Sequence, residues 1–266
     1  MTTLLADDGV RLDYTEHGPA TGRPVVLIAG FKAAATSWYY QVPVLSKAGY
    51  RVLAVDIRGH GLAERPEAVD MDRRGLDVRD VLEGLDLQHA VLVGGSMGAN
   101  TIWSYVAQCG TERLAAAVTV DQTPKMLNTS DWPHGFYGYN EANRDTYFAE
   151  RIPDTGMGTP IAKRGMRLVR LLRAMKGAEK GMTKGELALL HDHATRDWRP
   201  VIATADLPVL FVAGQDSEFW PASHAAACAV LAPVGESVVL ADDGHAANIE
   251  QPKAFNEALL GFLPGA

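Results

Sequence analysis

Ser96 stands in the segment VLVGGSMGANT, residues 91–101, and its surroundings are typical of an enzymatic nucleophile. An apolar run that predicts a strand precedes it, and a small-residue stretch that predicts a helix follows it. Gly94 and Gly98 lie two positions before and two positions after it. Small residues at these positions let a strand turn sharply into a helix while the serine hydroxyl is held at the strand end. This context favours a nucleophile over a structural turn.

A serine hydroxyl attacks efficiently only when a base takes its proton and an acid orients that base. His245 follows the last apolar run of the chain, and Asp216 follows the run before it. We therefore predict that Ser96, Asp216 and His245 form a catalytic triad, in that order along the chain. Asp121 is the main alternative for the acid, because it also ends a predicted strand. Glu218 is a second local option.

The other histidines are weaker candidates for the base. His60, in RGHG, is expected to shape a turn near the pocket, and His134 to lie in a solvated loop. His191 and His193 have a spacing that would suit a metal pair on a strand, but their surroundings predict a helix. We therefore expect no metal site and no cofactor.

Short apolar runs recur along the chain and predict the strands that position these residues. They are rich in valine, end mostly in glycine or aspartate, and suit strands that are covered on both faces. The runs are PVVLIAG (24–30), RVLAVD (51–56), HAVLVGG (89–95), AAAVTVD (115–121), PVLFVAG (208–214) and ESVVLAD (236–242). Helical patterns separate most of them, which predicts a mainly parallel α/β sheet with helices on both faces. The carboxyl ends of the strands then meet at one edge, where ligands bind in such sheets.

One interval breaks this alternation. Residues 122–206 show no convincing strand but contain helical stretches and the aromatic segment WPHGFYGY. We predict that they form a helical cap inserted in a single domain, residues 1–266, whose core comprises residues 1–121 and 207–266.

The motifs together resemble those of the α/β-hydrolase fold superfamily, nearest to its esterase, lactonase and cofactor-free haloperoxidase-like branch. The similarity spans nearly the whole chain and is carried by VDIRGHG (55–61), VGGSMGA (93–99), VAGQDSEF (212–219) and DGHAANIEQPKAFNEALLGFL (243–263). It implies an eight-stranded, mainly parallel sheet with the helical cap inserted after strand 6. It also implies a serine nucleophile, where related dehalogenases and epoxide hydrolases carry aspartate.

An acyl-transfer site also needs donors for the oxyanion of the tetrahedral intermediate. The expected donors are the backbone N–H of Met97, directly after the nucleophile, and that of Phe31, in the loop after the PVVLIAG strand. The chain departs from the family pattern at Ala29, where a histidine that braces this loop usually stands. Lys32 could bind a substrate carboxylate, although extension into solvent is the favoured interpretation.

Residues that could line a substrate pocket are mostly aromatic. We name Lys32, Trp38, Phe136, Tyr137, Tyr139 and Trp220. In the segment 163–176 an apolar helix face lies beside a stripe of arginines. The apolar face carries Leu168, Leu171, Leu172 and Met175, and the stripe carries Arg164, Arg167, Arg170 and Arg173. We expect the arginines to form a solvated outer face of the cap, with recognition of an acidic carrier or acyl group as the alternative.

Composition and charge indicate which classes of partner and which cellular compartment to expect. The formal net charge of −7 and the sequence pI of about 5.6 argue against nucleic-acid binding and against anionic membranes. No apolar run is long enough to span a bilayer, and the first residues do not resemble a signal peptide. The two cysteines, Cys109 and Cys228, are expected to be reduced, as in a cytoplasmic protein.

These observations predict a cofactor-independent serine hydrolase that acts on a small to medium carboxylic ester or lactone. Perhydrolase or haloperoxidase-like activity and C–C bond hydrolysis are alternatives that use the same triad. A small-molecule receptor with an idle triad is the non-enzymatic alternative.

Overall fold

The computed structural model describes residues 2–174 and 181–266, and its centre is one eight-stranded sheet. The strands are β1 (Thr2–Leu5), β2 (Arg11–His17), β3 (Pro24–Ile28), β4 (Arg51–Asp56), β5 (Ala90–Gly95), β6 (Leu114–Val120), β7 (Pro208–Gly214) and β8 (Val234–Leu240). Their order across the sheet is β1-β2-β4-β3-β5-β6-β7-β8. β2 pairs antiparallel with both of its neighbours, β1 and β4. β3 to β8 are parallel to one another. The predicted fold class, a mainly parallel eight-stranded sheet, is confirmed.

Helices cover both faces of the sheet. They are α1 (Val42–Lys47), α2 (Met71–Gly84), α3 (Met97–Cys109), α4 (Met166–Ala174), α5 (Lys184–Thr195), α6 (Arg199–Thr204), α7 (Ser223–Leu231), α8 (Ala247–Glu250) and α9 (Pro252–Phe262). In β3, Val26 and Ile28 pack into a core with α2, α3 and α7, whereas Val25 and Leu27 pack into the opposite core with α1 and α9. Successive side chains of a strand point to opposite faces, so a strand buried on both sides must be apolar throughout.

Strands β1 and β2 have no counterpart among the six apolar runs of the sequence. In β1 three of the four residues are exposed, and among the described residues this strand pairs only with β2, at the edge of the sheet. An exposed edge strand buries too little apolar surface to leave a hydrophobic pattern.

Between β6 and β7 the chain forms what we call the cap segment, residues 122–174 and 181–206. Within these described residues it contains α4, α5, α6 and isolated bridges, but no strand of the sheet. It contacts the loop after β3 through Glu186 and the loop after β7 through Thr159. One domain with an inserted cap stays a prediction of the sequence. In the parts of the chain described, no helix is long and apolar enough to cross a membrane.

Candidate active site

Ser96 occupies the turn between β5 and α3. Its backbone has φ of 51° and ψ of −130°, a conformation that a residue with a side chain adopts only at a cost of about 1–3 kcal/mol. The N–H of Ser96 donates to the carbonyl of Val120 at 2.9 Å, which ties the turn to the end of β6. The strain is held by the surrounding structure, as in a turn that presents a nucleophile.

Three glycines permit close packing around this turn. A Cβ atom added to Gly98 would lie 2.4 Å from the carbonyl oxygen of Ile28, and one added to Gly94 would lie 2.5 Å from backbone atoms of Gly98. A Cβ atom on Gly30 would lie 2.8 Å from the Cβ of Ser96. The loop after β3 therefore lies directly against the predicted nucleophile.

His245, in the loop after β8, is held on several sides. Its N–H donates to Oε2 of Glu218 at 2.9 Å. Its ring packs against Phe219 and Trp220, with centroid distances of 4.4 and 5.3 Å. Its Nδ1 lies 2.8 Å from Oδ2 of Asp121. The imidazole is thus oriented by one carboxylate and two aromatic rings.

Asp121 is fully buried at the end of β6, and its carboxylate is well supplied with hydrogen-bond donors. Oδ1 accepts from the N–H of Gly214 at 2.9 Å, and Oδ2 accepts from Oγ of Ser217 at 2.6 Å as well as facing His245. Nε2 of His224 lies 3.6 Å from Oδ1. Burial alone would raise the pKa of Asp121, but the two imidazoles outweigh burial and hold this pKa at about 2. The carboxylate is therefore ionised at neutral pH.

The structure places Asp216 elsewhere. Its carboxylate accepts from Oγ1 of Thr159 at 2.9 Å and lies 3.7 Å from Nη1 of Arg167, so it faces the cap segment. The prediction that Asp216 orients His245 is wrong, because Asp121 occupies that position. Asp121 ends the strand next to β5 in the sheet, which brings it within reach of both the nucleophile turn and the histidine loop.

Ser96 and His245 line the same cavity of about 140 Å³. The other lining residues are Gly30, Phe31, Ala33, Ser37, Trp38, Gly95, Val120, Ala246, Asn248 and Ile249. Because Nδ1 of His245 is engaged by Asp121, Nε2 is the ring nitrogen that can take a proton from Ser96. The arrangement can generate a serine nucleophile in a small, half-enclosed space.

Of the two predicted oxyanion donors, Phe31 lines this cavity, and Met97 directly follows Ser96 in the chain. Within residues 2–174 and 181–266, neither the N–H of Phe31 nor that of Met97 donates to a protein acceptor. Met97 opens α3, and the first N–H groups of a helix have no partner inside the helix. The role of both groups as oxyanion donors stays a prediction.

Of the predicted pocket residues, Trp38 lines the cavity with Ser96, and Trp220 packs against His245 instead. Lys32 is bound to Glu186 in the cap segment and borders a second cavity, of about 450 Å³. Phe31 lines both cavities, so this second cavity adjoins the one that Ser96 and His245 line.

Two of the remaining three predicted pocket residues belong to an aromatic cluster. Phe136 and Tyr139 are buried and pack with Tyr147 and Phe148, away from the residues that line the catalytic cavity. Tyr137 is half-buried, and its N–H donates to the carbonyl of Phe219. Phe136 packs against Phe219 and Trp220, which form an aromatic wall behind His245, so Phe136 and Tyr139 do not line the cavity of Ser96 and His245. A pocket role for Tyr137 stays a prediction.

The arginine stripe of α4 does not form a solvated outer face, so that expectation is wrong. Arg164 pairs with Glu218 at 2.5 Å, and Arg167 pairs with the buried carboxylate of Glu250 at 2.7 Å. Glu218 in turn binds the N–H of His245. Arg164 and Arg167 face inward because carboxylates around the histidine loop require compensation, whereas Arg173 is exposed and lies over the ring of Tyr39. The exposed side of the helix carries Met166, Val169 and Leu172, and Met175 lies outside the described residues.

Ser217, Phe219 and His224 surround the Asp121–His245 pair but were not identified from the sequence. Two of them, Ser217 and Phe219, stand in the segment VAGQDSEFW, in which the sequence singled out only Asp216, Glu218 and Trp220. A serine that supports a carboxylate on another strand leaves no local signal, because the partner is about a hundred residues away.

The chain is similar to known proteins over most of its length. Residues 23–252 match the alpha/beta hydrolase fold family. A non-heme chloroperoxidase of Streptomyces lividans is 32% identical over 240 residues, covering 85% of this chain and 86% of its own. A bifunctional esterase/perhydrolase of Acinetobacter calcoaceticus is 25% identical over 283 residues and 99% of each chain. The crystal structure of a bromoperoxidase from Bacillus anthracis superposes with a TM-score of 0.80 at 28% identity, over 98% of this chain and 99% of that one. The chain therefore belongs to the α/β-hydrolase fold family and is an enzyme of that family.

Proposed function

We propose that the protein is a serine hydrolase that cleaves a small to medium carboxylic ester or lactone through an acyl-enzyme. The observation that carries this proposal is the position of His245. Its Nδ1 is bound by the ionised carboxylate of Asp121, and its ring shares a 140 Å³ cavity with the strained Ser96. A base oriented in this way is what a serine hydroxyl needs in order to attack a carbonyl.

In the proposed reaction, Nε2 of His245 accepts the proton of Ser96 as its oxygen attacks the ester carbonyl. Asp121 stabilises the resulting imidazolium without itself taking the proton. The N–H groups of Phe31 and Met97 bind the oxyanion. His245 then protonates the leaving alkoxide, and a water molecule, activated by the same histidine, releases the acid from Ser96.

Hydrolysis of p-nitrophenyl esters of increasing acyl length tests this proposal. The cavity beside Ser96 is small, so we expect acetate and butyrate esters to react faster than decanoate. Rapid mixing should show a burst of one p-nitrophenolate per active site if deacylation is slower than acylation. A Ser96→Ala variant that keeps wild-type turnover would contradict the mechanism.

Perhydrolysis is the second candidate, and the relatives named as a chloroperoxidase and as an esterase/perhydrolase favour it. Hydrogen peroxide would replace water in attacking the acyl-enzyme, and the released peracid would oxidise bromide. Bromination of monochlorodimedone in acetate buffer with peroxide measures this activity. Dependence on both acetate and Ser96 supports it, and bromination that persists in Ser96→Ala excludes it.

A further inference from the structure

Lys32 connects the loop after β3, residues 30–33, to the cap segment. Its Nζ donates to the carbonyl of Gly181 at 2.6 Å and to Oε2 of Glu186 at 3.1 Å. Its backbone φ is 59°, a region that residues with side chains adopt at a cost. A lysine is therefore held in a strained backbone conformation directly after Phe31.

Glu186 is also held in place by contacts that do not involve Lys32. It lies in the first turn of α5, where its carboxylate accepts from the N–H of Thr183 at 2.8 Å and its own N–H donates to Oγ1 of Thr183 at 3.1 Å. The side chains of Lys32 and Glu186 are only 20% and 16% exposed, so solvent screens this ion pair less than a surface pair. The carboxylate offers Lys32 a rigid, half-buried anchor.

The anchor acts on a tight turn that touches the nucleophile. The N–H of Ala33 donates to the carbonyl of Gly30 at 3.0 Å, and Gly30 packs against Ser96. The N–H of Phe31 belongs to this turn. Whatever holds the turn at Lys32 therefore also sets the direction of that N–H.

We propose that Lys32 is a positioning residue: its contacts with Glu186 and Gly181 hold residues 30–33 so that the N–H of Phe31 points at the oxyanion. The proposal rests on the proposed function in taking Phe31 as an oxyanion donor. Since Glu186 belongs to the cap segment, seating of α5 and alignment of the oxyanion site are coupled. Lys32 thus serves the reaction through the backbone and does not bind the substrate.

Steady-state kinetics with p-nitrophenyl acetate test this role in Lys32→Met and Glu186→Gln. We expect kcat to fall about 10–100-fold with KM within about threefold, since loss of a whole oxyanion donor costs about 10²–10³ in kcat. Affinity for the transition-state analogue 1,1,1-trifluoroheptan-2-one should fall by the same factor as kcat. Lys32→Arg should restore most of kcat. Lys253→Met, which breaks the exposed pair with Glu257, should leave kcat unchanged. A rise in KM with unchanged kcat would make Lys32 a substrate-binding residue and overturn the proposal.

Hydrogen–deuterium exchange separates this inference from the proposed function. Backbone amides of residues 31–34 should exchange at least tenfold faster in Lys32→Met and Glu186→Gln than in the wild type or Lys253→Met. Unchanged exchange would overturn the anchoring role, whatever the enzyme hydrolyses. Faster exchange in a protein that cleaves no ester would refute the proposed function and leave the anchor standing.

Discussion

Nδ1 of His245 lies 2.8 Å from Oδ2 of Asp121, which is completely buried at the end of β6. The same carboxylate accepts hydrogen bonds from Gly214, the last residue of β7, and from Ser217 in the loop that follows. The acid is therefore held from the neighbouring strand while it faces the histidine loop. This arrangement keeps the carboxylate ionised and leaves it little freedom to move.

Exchange of each candidate acid for its amide should distinguish them. In Asp121→Asn, we expect kcat to fall by about 10⁴-fold, because an amide favours the wrong histidine tautomer and cannot stabilise the imidazolium. Asp216→Asn should stay within about threefold of the wild type, since Asp216 contacts Thr159 and Arg167. Ester hydrolysis at neutral pH measures both. A larger loss in Asp216→Asn would show that the acid has been misassigned.

Ionisation of Asp243 should make the free energy of unfolding depend on pH. Asp243 is fully buried, and neither of its carboxyl oxygens has a hydrogen-bond partner among the described residues. Burial, and then the charge of Glu250, raise the pKa of Asp243 from 3.8 to about 8. Between about pH 4 and pH 8 the folded protein keeps a proton that the unfolded chain releases, so stability falls as pH rises through this window.

In an Asp243→Asn variant, stability should not fall in this way as the pH rises. A tenfold change in a protonation constant corresponds to about 1.4 kcal/mol, and local relaxation reduces the full effect. We expect the variant to be more stable than the wild type by about 2 kcal/mol at pH 8, with the difference shrinking toward pH 4.5. Urea unfolding across this range measures it. A difference that does not change with pH would mean that Asp243 ionises normally in the folded protein.

The inward face of α4 can be tested through Arg167. Its partner Glu250 is 1% exposed, and removal of one member of a buried ion pair leaves an uncompensated charge. Arg167→Met should therefore lower the free energy of unfolding by about 3 kcal/mol. Arg173→Met, on the same helix but exposed, removes only a contact with the ring and hydroxyl of Tyr39 and should change it by less than about 1 kcal/mol. If both substitutions lowered the free energy of unfolding by the same small amount, Arg167 would face solvent, which would contradict this arrangement.

Alanine substitutions at two glycines of the turn around Ser96, Gly98 and Gly95, should differ in their effect on stability. Alanine normally stabilises a helix relative to glycine, but a Cβ on Gly98 would lie 2.4 Å from a backbone oxygen of Ile28. Gly98→Ala should therefore cost about 2 kcal/mol through overpacking. A Cβ on Gly95 would meet only the ring of Trp38 at 3.6 Å, an ordinary contact, so Gly95→Ala should cost less than about 0.5 kcal/mol. Denaturant unfolding of the two variants tests the difference.

The sequence predicted the parallel sheet well because each central strand is buried on both faces. Such strands leave continuous apolar runs, and the runs at 51–56 and 208–214 coincide with β4 and β7. Strand β1, exposed at the edge, left no such pattern. The turn around Ser96 was recognisable because steric contacts demand small residues at fixed spacing. Such a local constraint is visible in the sequence.

The acid and the arginine stripe could not be assigned in the same way. Asp121 and Asp216 both follow strands, and only the three-dimensional distance to His245 separates them. The arginines of the stripe have the spacing of a solvated face, but Arg164 and Arg167 pair with Glu218 and Glu250, which lie far along the chain. Pairing over such distances is set by packing, which local patterns do not encode.

The central claim is that Ser96 is an activated nucleophile, and intact-mass analysis after fluorophosphonate treatment tests it most directly. It requires no knowledge of the substrate. We expect one adduct per wild-type chain, none on Ser96→Ala, and much slower labelling of Asp121→Asn, because the base would be misoriented. An unlabelled wild type, or equal labelling of Ser96→Ala, would contradict the account.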